Sequence, residues 1–244
     1  MPFNCHGLGC TSTGLINAHF MPQAFPRRIQ KRSRVQNTTV SELRFTQRIP
    51  HGLFDSEILC DACDQFLGRE YDKPAFELIN ALSAMEFARP KFEIANVNCD
   101  LLSAFILAVL WRCSISKMFD VSNINLLGYT NSARMVLWHA MPLSDLRAYR
   151  VLCQRYYPHS GIDEFYSLPI AATFELEDAQ WHGYVVPLVG FRFMVIIDPR
   201  PLPSEYEPYI LNGSTVLRGS FVDFPNTYEA DQARSVLAFH DKGS

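Results

Sequence analysis

Four of the seven cysteines form two close pairs in the first quarter of the chain, Cys5 with Cys10 and Cys60 with Cys63. Four residues separate the members of the first pair, and two separate those of the second. Two short loops that each supply two thiolates fill the four tetrahedral positions that zinc prefers in a structural site, with sulfur about 2.3 Å from the metal. The spacing therefore predicts one structural zinc site with no open position for chemistry. The alternative is four unrelated buried thiols in a reducing compartment.

A histidine lies between the two cysteine pairs, in the order cysteine pair, His19, Pro22 and then Leu59, Cys60 and Cys63. This order resembles the HNH-like endonuclease family, which has a four-cysteine zinc site and a His-Me or treble-clef module, and its uncharacterised relatives in bacteria and phages. In that family the zinc pins a ββα unit, and a histidine at the end of a strand activates water for attack on a phosphodiester. The resemblance implies that His19 is the general base and that the four paired cysteines bind the zinc. The alternative for His19 is packing or hydrogen bonding beside the cysteine pair.

The same resemblance implies a second, catalytic metal ion, magnesium or manganese, that stabilises charge on the phosphate. The histidine or asparagine that holds this ion in the family is not evident after the second cysteine pair, and no histidine occurs between His51 and His139. Carboxylates stand there instead, and these are suitable ligands for magnesium. Asp64 occupies the place where an asparagine often follows the last cysteine, so we expect Asp61 or Asp64 to lie near the catalytic ion.

A run of basic residues lies between His19 and the second cysteine pair, where it could follow a phosphate backbone with salt-dependent affinity. The candidates for contact with nucleic acid are Arg27, Arg28, Lys31, Arg32 and Arg34. The first 60 residues contain seven Lys and Arg against three Asp and Glu, whereas the whole chain has a formal net charge of -3. Any affinity for nucleic acid is therefore expected at the N-terminal end. The alternative is a solvated loop or arm.

The composition is that of a globular protein, with 244 residues, 48% hydrophobic residues and 18 Phe, enough for a sizeable core. The sequence begins without the features of a secretory signal, and its longest apolar run is shorter than the roughly 20 residues that span a bilayer. An odd number of cysteines, three of them in apolar surroundings, favours free thiols in a reducing compartment. We expect a soluble, cytoplasmic protein that does not associate with membranes. The sequence has no glycine-rich phosphate loop, dinucleotide-binding fingerprint or local catalytic-triad signature.

Periodic apolar residues predict four helices in the middle of the chain, over residues 72–88, 98–119, 125–140 and 144–156. The helix that begins at Asn98 is apolar on most sides, which predicts a place in the core. Arg112 lies near the end of this helix. Because a charge near a core needs a partner, we expect it to pair with a buried carboxylate, with a phosphate as the alternative.

Short runs rich in β-formers follow, and they predict a small antiparallel sheet packed on the long helix, with strands in 167–177, 181–190 and 191–199. A hairpin is predicted at Asn212 and Gly213, a terminal helix over 227–242, and one or two short strands within 35–48. The predicted fold is α+β. It comprises a treble-clef or ββα zinc module over 1–72, a helical region over 73–160, and a β-rich region over 161–244 that packs on the helices or forms one domain with them.

Two functions are consistent with these features. The first is an HNH-like, metal-dependent endonuclease in which His19 is the base. The second is a non-catalytic zinc module that binds nucleic acid or a protein partner, for instance in conflict between phage and host, with His19 as a support for the cysteine loop. The His-x-x-Pro sequence favours the first, and the missing second histidine favours the second.

Overall fold

The computed structural model describes residues 4–32, 38–40, 46–48, 52–118, 121–158 and 166–231. The α-helices are α1 (Ala24–Arg32), α2 (Asp61–Leu67), α3 (Lys73–Ser83), α4 (Cys99–Ile115) and α5 (Thr130–Leu137). The strands are β1 (Ala18–His19), β2 (Thr38–Val40), β3 (Thr46–Arg48), β4 (Phe54–Asp55), β5 (Lys91–Ala95), β6 (Tyr149–Tyr156), β7 (Ile170–Leu176), β8 (Ala179–Leu188), β9 (Phe191–Ile197) and β10 (Val216–Val222). The predicted α+β class, with a helical middle and a sheet on the C-terminal side, is confirmed.

The N-terminal segment contains two short strands that lie far apart in sequence but pair directly. β1 is antiparallel to β4, with His19 opposite Phe54 and Ala18 opposite Asp55. Helix α1 and the strand pair β2 and β3 lie between them in sequence. Helix α2 begins soon after β4, so the order along the chain is strand, strand and helix, with an insertion inside the strand pair.

One helical run extends from α2 to α3, because a π-helical turn over Gly68–Asp72 joins them. Pro74 stands in the first turn of α3, where it has no amide hydrogen to donate to the preceding turn. A widened turn directly before it accommodates that missing bond. α3 ends at Ser83, earlier than the predicted end at residue 88.

Helix α4 is the centre of the core, and its side chains from Leu102 to Cys113 are buried on every face. Its predicted start is confirmed, since the Asn98 side chain caps the helix by accepting a hydrogen bond from the Leu101 amide at 3.0 Å. One cluster of buried apolar residues extends from Cys5 through α4 to Leu217 in β10. The helix and both ends of the described chain therefore share a core.

The large sheet has six strands in the order β5, β10, β6, β9, β8, β7, and it packs on α4, where the Tyr149 hydroxyl donates to the Ser103 carbonyl at 2.7 Å. The predicted strands of β7, β8 and β9 are confirmed. Neighbouring strands are antiparallel except β6 and β10, which are parallel. The sheet is therefore mixed and not purely antiparallel as predicted.

Two predicted elements are wrong. Most of the helix predicted over 144–156 is instead the strand β6, which lies between β9 and β10 and is largely buried on both faces. A strand buried on both faces loses the alternation that distinguishes it from a buried helix. The predicted hairpin is a turn at Gly213, with a φ of 78°, that leads into β10. β10 pairs with the distant strands β5 and β6, which no local pattern reveals.

Two predictions fall on residues outside the described ranges. One concerns the basic residue Arg34. The other concerns the predicted terminal helix, of which the described residues include only the beginning, over 228–231. Across the ranges that the structure describes, no helix combines the length and the apolar character needed to cross a membrane.

The predicted partner of Arg112 is confirmed as a carboxylate. Arg112, whose side chain is 1% exposed, donates from Nη1 to Asp72 Oδ1 at 3.1 Å and from Nη2 to Asp72 Oδ2 at 2.8 Å. Tyr71, the preceding residue, donates its hydroxyl to the Leu137 carbonyl at 2.9 Å. These bonds join the π-helical turn to α4 and α5, and through α2 they join the core to the second cysteine pair.

Removing the Asp72 carboxylate should strongly destabilise the protein. Asp72→Ala leaves the buried Arg112 guanidinium without the carboxylate that accepts its hydrogen bonds, which typically costs about 3–5 kcal/mol. Urea unfolding followed by circular dichroism measures the loss. The control is Glu93→Ala, which removes an ion pair to Arg218 at 2.8 Å in which the Glu93 side chain is 61% exposed. The control should leave the unfolding midpoint unchanged. Equal effects of the two substitutions would contradict a structural role for the buried pair.

Candidate metal centre

The four paired cysteines converge at one point. Their Sγ atoms all lie within 4.8 Å of one another, and the Sγ atoms of Cys10 and Cys60 are 3.7 Å apart. A tetrahedron with sulfur about 2.3 Å from a central metal has edges of about 3.8 Å. Cys5, Cys60 and Cys63 are buried and Cys10 is half-buried. The geometry and the donor set therefore suit a closed, four-thiolate metal site.

The first cysteine pair is held by its own backbone. The Cys5 amide donates to the Ser12 carbonyl at 2.8 Å, and the Cys10 amide donates to the Gly7 carbonyl at 3.1 Å. Gly9, at the tip of this loop, has a φ of 70°, which favours glycine. The loop thus turns both thiols toward the same side.

The second pair lies at the start of α2, with Cys60 as the N-cap residue. The Cys60 amide donates to the Cys5 Sγ at 3.3 Å, and Cys60 forms an antiparallel bridge with Leu15. The Ile16 amide also donates to the Leu59 carbonyl at 2.9 Å. Backbone hydrogen bonds between the two segments therefore hold the two pairs together across about 50 residues of sequence.

The environments of the thiols differ in their effect on ionisation. Burial raises the pKa of the Cys5 thiol more than amide hydrogen bonds from Cys60 and Gly7 lower it. Burial also raises the pKa of Cys60, but hydrogen bonds from the Cys63 amide and from the neighbouring thiols outweigh it and bring the value to about 7. Burial and the nearby Cys5 raise the pKa of Cys63 well above its ordinary value. Four thiolates this close repel one another, and a divalent cation is what allows all four to lose their protons.

Gly7 packs directly against the cluster, a contact that the sequence analysis did not identify. A Cβ atom at this position would overlap the Cys63 Sγ and would lie 3.3 Å from the Trp138 ring. Trp138 in turn stacks on Phe66 of α2 at 5.9 Å and meets Trp111 edge-on at 5.1 Å between ring centroids. An apolar shell of this kind limits the access of water to a metal site.

His19 lies at the end of β1, as the resemblance implied for the general base. It is half-buried, and its ring lies 5.7 Å from that of Phe54, a side chain that is 40% exposed. The His19 Nε2 atom is 2.8 Å from the Gln23 Nε2, and the Gln23 Oε1 accepts a hydrogen bond of 2.6 Å from the Arg27 Nη2. The histidine thus belongs to a polar chain that reaches the basic helix α1.

Asp64 has a different environment from the one expected of a catalytic metal ligand beside His19. It is half-buried in α2, and its charged neighbours are Arg112, Asp72 and Asp61. Burial raises the pKa of its carboxyl group, and the Arg112 guanidinium opposes that rise. Asp61 accepts a hydrogen bond from Gln65 at 2.8 Å. Among the described residues, the four cysteines are the one group of three or more His, Cys, Asp or Glu side chains that could hold a metal ion.

The basic run is helical rather than a loop, since α1 contains four of its five members. Arg27 and Lys31, and likewise Arg28 and Arg32, are four positions apart, a spacing that places residues on one face of a helix. Arg27 is exposed and Arg28 is half-buried, and both line an open groove of about 560 Å³ between α1 and α3. Phe76 and Asn80 form part of its other side.

The structure thus brings the four cysteines together and places His19 and Arg27 in one hydrogen-bonded chain, whereas the charged neighbours of Asp64 are Arg112, Asp72 and Asp61. Hydrogen bonding through Gln23 has no sequence signature, because glutamine occurs commonly on surfaces. Comparisons of this chain with protein-family models, with curated proteins and with solved structures found no match.

A methyl group at Gly7 should disrupt the metal centre. Gly7→Ala would place its Cβ inside the contact distance of the Cys63 Sγ, so we expect the purified protein to contain less than half the metal of the parent, by inductively coupled plasma mass spectrometry. The control is Gly14→Ala, whose Cβ would meet only the Ser12 Oγ at 3.9 Å. If both variants keep the parental metal content, Gly7 does not limit the geometry of the site.

Loss of one thiol should lower both metal content and stability, because binding of a structural metal is coupled to folding. For Cys60→Ala we expect a loss of about 2 kcal/mol or more, which corresponds to about 5 °C in Tm at this chain length. Differential scanning fluorimetry with and without a chelator measures it. Cys99→Ala removes a buried thiol outside the cluster and should keep its metal and its response to the chelator. A Cys60→Ala protein that melts like the parent and keeps its metal would show that the cluster is not a metal site.

Proposed function

We propose that this chain is an HNH-like, metal-dependent endonuclease whose first 72 residues form a treble-clef module around a structural zinc ion. The observation that carries the proposal is the order of elements around the cysteine cluster. A loop with two cysteines is followed by the antiparallel strands β1 and β4, and then by α2 with the other two cysteines at its start. This is the order of a ββα unit pinned by a four-cysteine site, and His19 stands at the end of its first strand.

Zinc is the metal that best suits the cluster. Thiolates are soft ligands, and a tetrahedral set of four is typical of zinc or iron, whereas magnesium and calcium bind through oxygen. Four protein ligands leave no position for a substrate or a water molecule. The zinc would therefore fix the positions of β1, β4 and α2, and the chemistry would take place at His19.

The hydrogen bonds of His19 support its role as a base. Its Nε2 accepts a hydrogen bond, so this nitrogen carries a lone pair and no proton, which is the form a general base requires. In the proposed reaction, a water molecule replaces the Gln23 amide at Nε2, and His19 takes a proton from that water as the water oxygen attacks the phosphorus. The bond between phosphorus and the leaving oxygen breaks, and the leaving oxygen takes a proton from solvent. The exposed Phe54 ring beside His19, and Arg27 on α1, give the substrate an apolar contact and a cationic contact.

A magnesium or manganese ion, when bound, would polarise the phosphoryl oxygen and assist the leaving oxygen. Among the described residues, His19 belongs to no group of three or more potential metal ligands, and the charged neighbours of Asp64 are Arg112, Asp72 and Asp61. We therefore assign no protein ligand to this ion, and dependence on it is part of the test below.

A non-catalytic module is the second candidate, and two observations favour it. The described residues provide no second group of metal ligands, and the basic nitrogen of His19 is engaged by Gln23. In this alternative, α1 and the exposed Phe54 bind nucleic acid or a protein partner without cleaving it. The two candidates differ in whether the protein cleaves nucleic acid.

Substitution of His19 distinguishes the two candidates. If it is the base, His19→Ala should reduce nicking of a supercoiled plasmid in magnesium or manganese at least about 100-fold, since general bases contribute about 10² to 10⁴. Zinc content and Tm should stay at the parental values. The control is His182→Ala, which removes an exposed histidine from β8 in the large sheet.

If the parent nicks the plasmid and His19→Ala nicks it equally well, His19 is not the base. Nucleic-acid binding by a parent that does not nick in either metal would favour the non-catalytic module.

A further inference from the structure

Gln23 forms hydrogen bonds with both His19, the candidate base, and Arg27, a candidate contact for nucleic acid. It stands immediately before α1, and its backbone carbonyl accepts the Arg27 amide at 3.1 Å, so its position relative to Arg27 is fixed by the first turn of the helix. Its side chain lies between the Arg27 guanidinium at 2.6 Å and the His19 Nε2 at 2.8 Å. Both distances are those of good hydrogen bonds.

The hydrogen-bond donors and acceptors of Arg27, Gln23 and His19 allow only one arrangement of protons. The Arg27 guanidinium can only donate, so the atom of Gln23 that faces it must be the carbonyl oxygen. The amide nitrogen of Gln23 then faces His19 and can only donate, so the His19 Nε2 must accept. A neutral imidazole has one protonated nitrogen, and the proton must therefore be on Nδ1. Arg27, which can only donate, thus selects the tautomer of His19 through the Gln23 amide.

We propose that Gln23 is a positioning residue that holds His19 in the Nδ1-protonated form, with a lone pair on Nε2 that the Gln23 amide occupies until water replaces it. Arg27 orients Gln23 for this purpose. The inference about the tautomer stands on the hydrogen bonds alone, whereas its catalytic meaning rests on the proposed function. Glutamine suits this role because its amide carries a donor and an acceptor at once. Glutamate at the same position would offer two acceptors and would demand a proton on Nε2.

This role differs from a purely structural one in whether glutamate can replace Gln23. A glutamine that only ties β1 to α1 could be replaced by glutamate, which keeps a hydrogen bond to both neighbours and gains a charge pair with Arg27. A glutamine that sets the tautomer cannot, since the replacement places a proton on the nitrogen that has to accept one.

The tautomer can be read directly from long-range ¹H–¹⁵N correlation spectra of the full-length, zinc-loaded protein, in which a protonated and an unprotonated ring nitrogen have well-separated signals. The parent should show an unprotonated Nε2 and a protonated Nδ1 for His19. Gln23→Glu should move the proton to Nε2 or protonate both nitrogens. Gln23→Ala and Arg27→Ala should each leave a mixture of the two tautomers. The charge-matched control is Gln180→Glu, at an exposed position of β8, which should leave the His19 signals unchanged.

Activity gives a second, separate readout. If the parent nicks plasmid, Gln23→Glu should lose at least about 100-fold, like the loss of a general base, while zinc content and Tm stay parental. If the parent does not nick, the endonuclease proposal fails, and the spectra still test the tautomer. A His19 whose ring signals are the same in the parent, Gln23→Glu and Gln23→Ala would overturn the inference, as would a parent that carries its proton on Nε2.

Discussion

Convergence of four thiols on one point is the constraint around which the N-terminal half is built. Buried groups that can all become anions are unfavourable neighbours unless a cation lies between them. Here the Cys5 Sγ already accepts two amide hydrogen bonds, from Gly7 at 3.4 Å and from Cys60 at 3.3 Å. These bonds favour the charged form of the sulfur. The backbone is thus arranged for thiolates, and the zinc that we propose would bind them and close the unit.

The metal centre is also connected to the core rather than attached to its surface. The helical run that starts beside Cys60 leads to Asp72, and Asp72 holds the buried Arg112 of α4. Trp138 bridges the cluster to the same helix through its contact with Trp111. Because α4 also packs against the large sheet, the cysteine cluster, α4 and the sheet share one continuous core. The position of His19 on β1 depends on the same connections, since β1 is held by β4 and by the segment that carries the second cysteine pair.

The sequence predicted the parts of the structure that depend on local spacing or on a single strong pattern. The cysteine cluster, the cap at Asn98 and the strands β7 to β9 belong to this group, and so does the partner of Arg112, because a buried charge requires one. The elements that it missed depend on distant pairing. β6 looks helical because both of its faces are buried, and β10 is placed by strands more than 50 residues away.

The same limit applies to the candidate site. Gly7 lies against the Cys63 sulfur, and Asp64 has Arg112 as a charged neighbour. Both arrangements bring together segments that are far apart in sequence, and no sequence spacing predicts them. Gln23 was missed for a different reason. It is close to His19 in sequence, but its importance comes from the orientation of one amide, which only its two hydrogen-bonding partners define.

Zinc K-edge X-ray absorption of the purified protein, with the metal-to-protein ratio measured on the same sample, tests the central claim most directly. The account predicts one zinc per chain and a first shell of four sulfur atoms at about 2.3 Å. A first shell with nitrogen or oxygen ligands, or a chain that folds without bound metal, would contradict it.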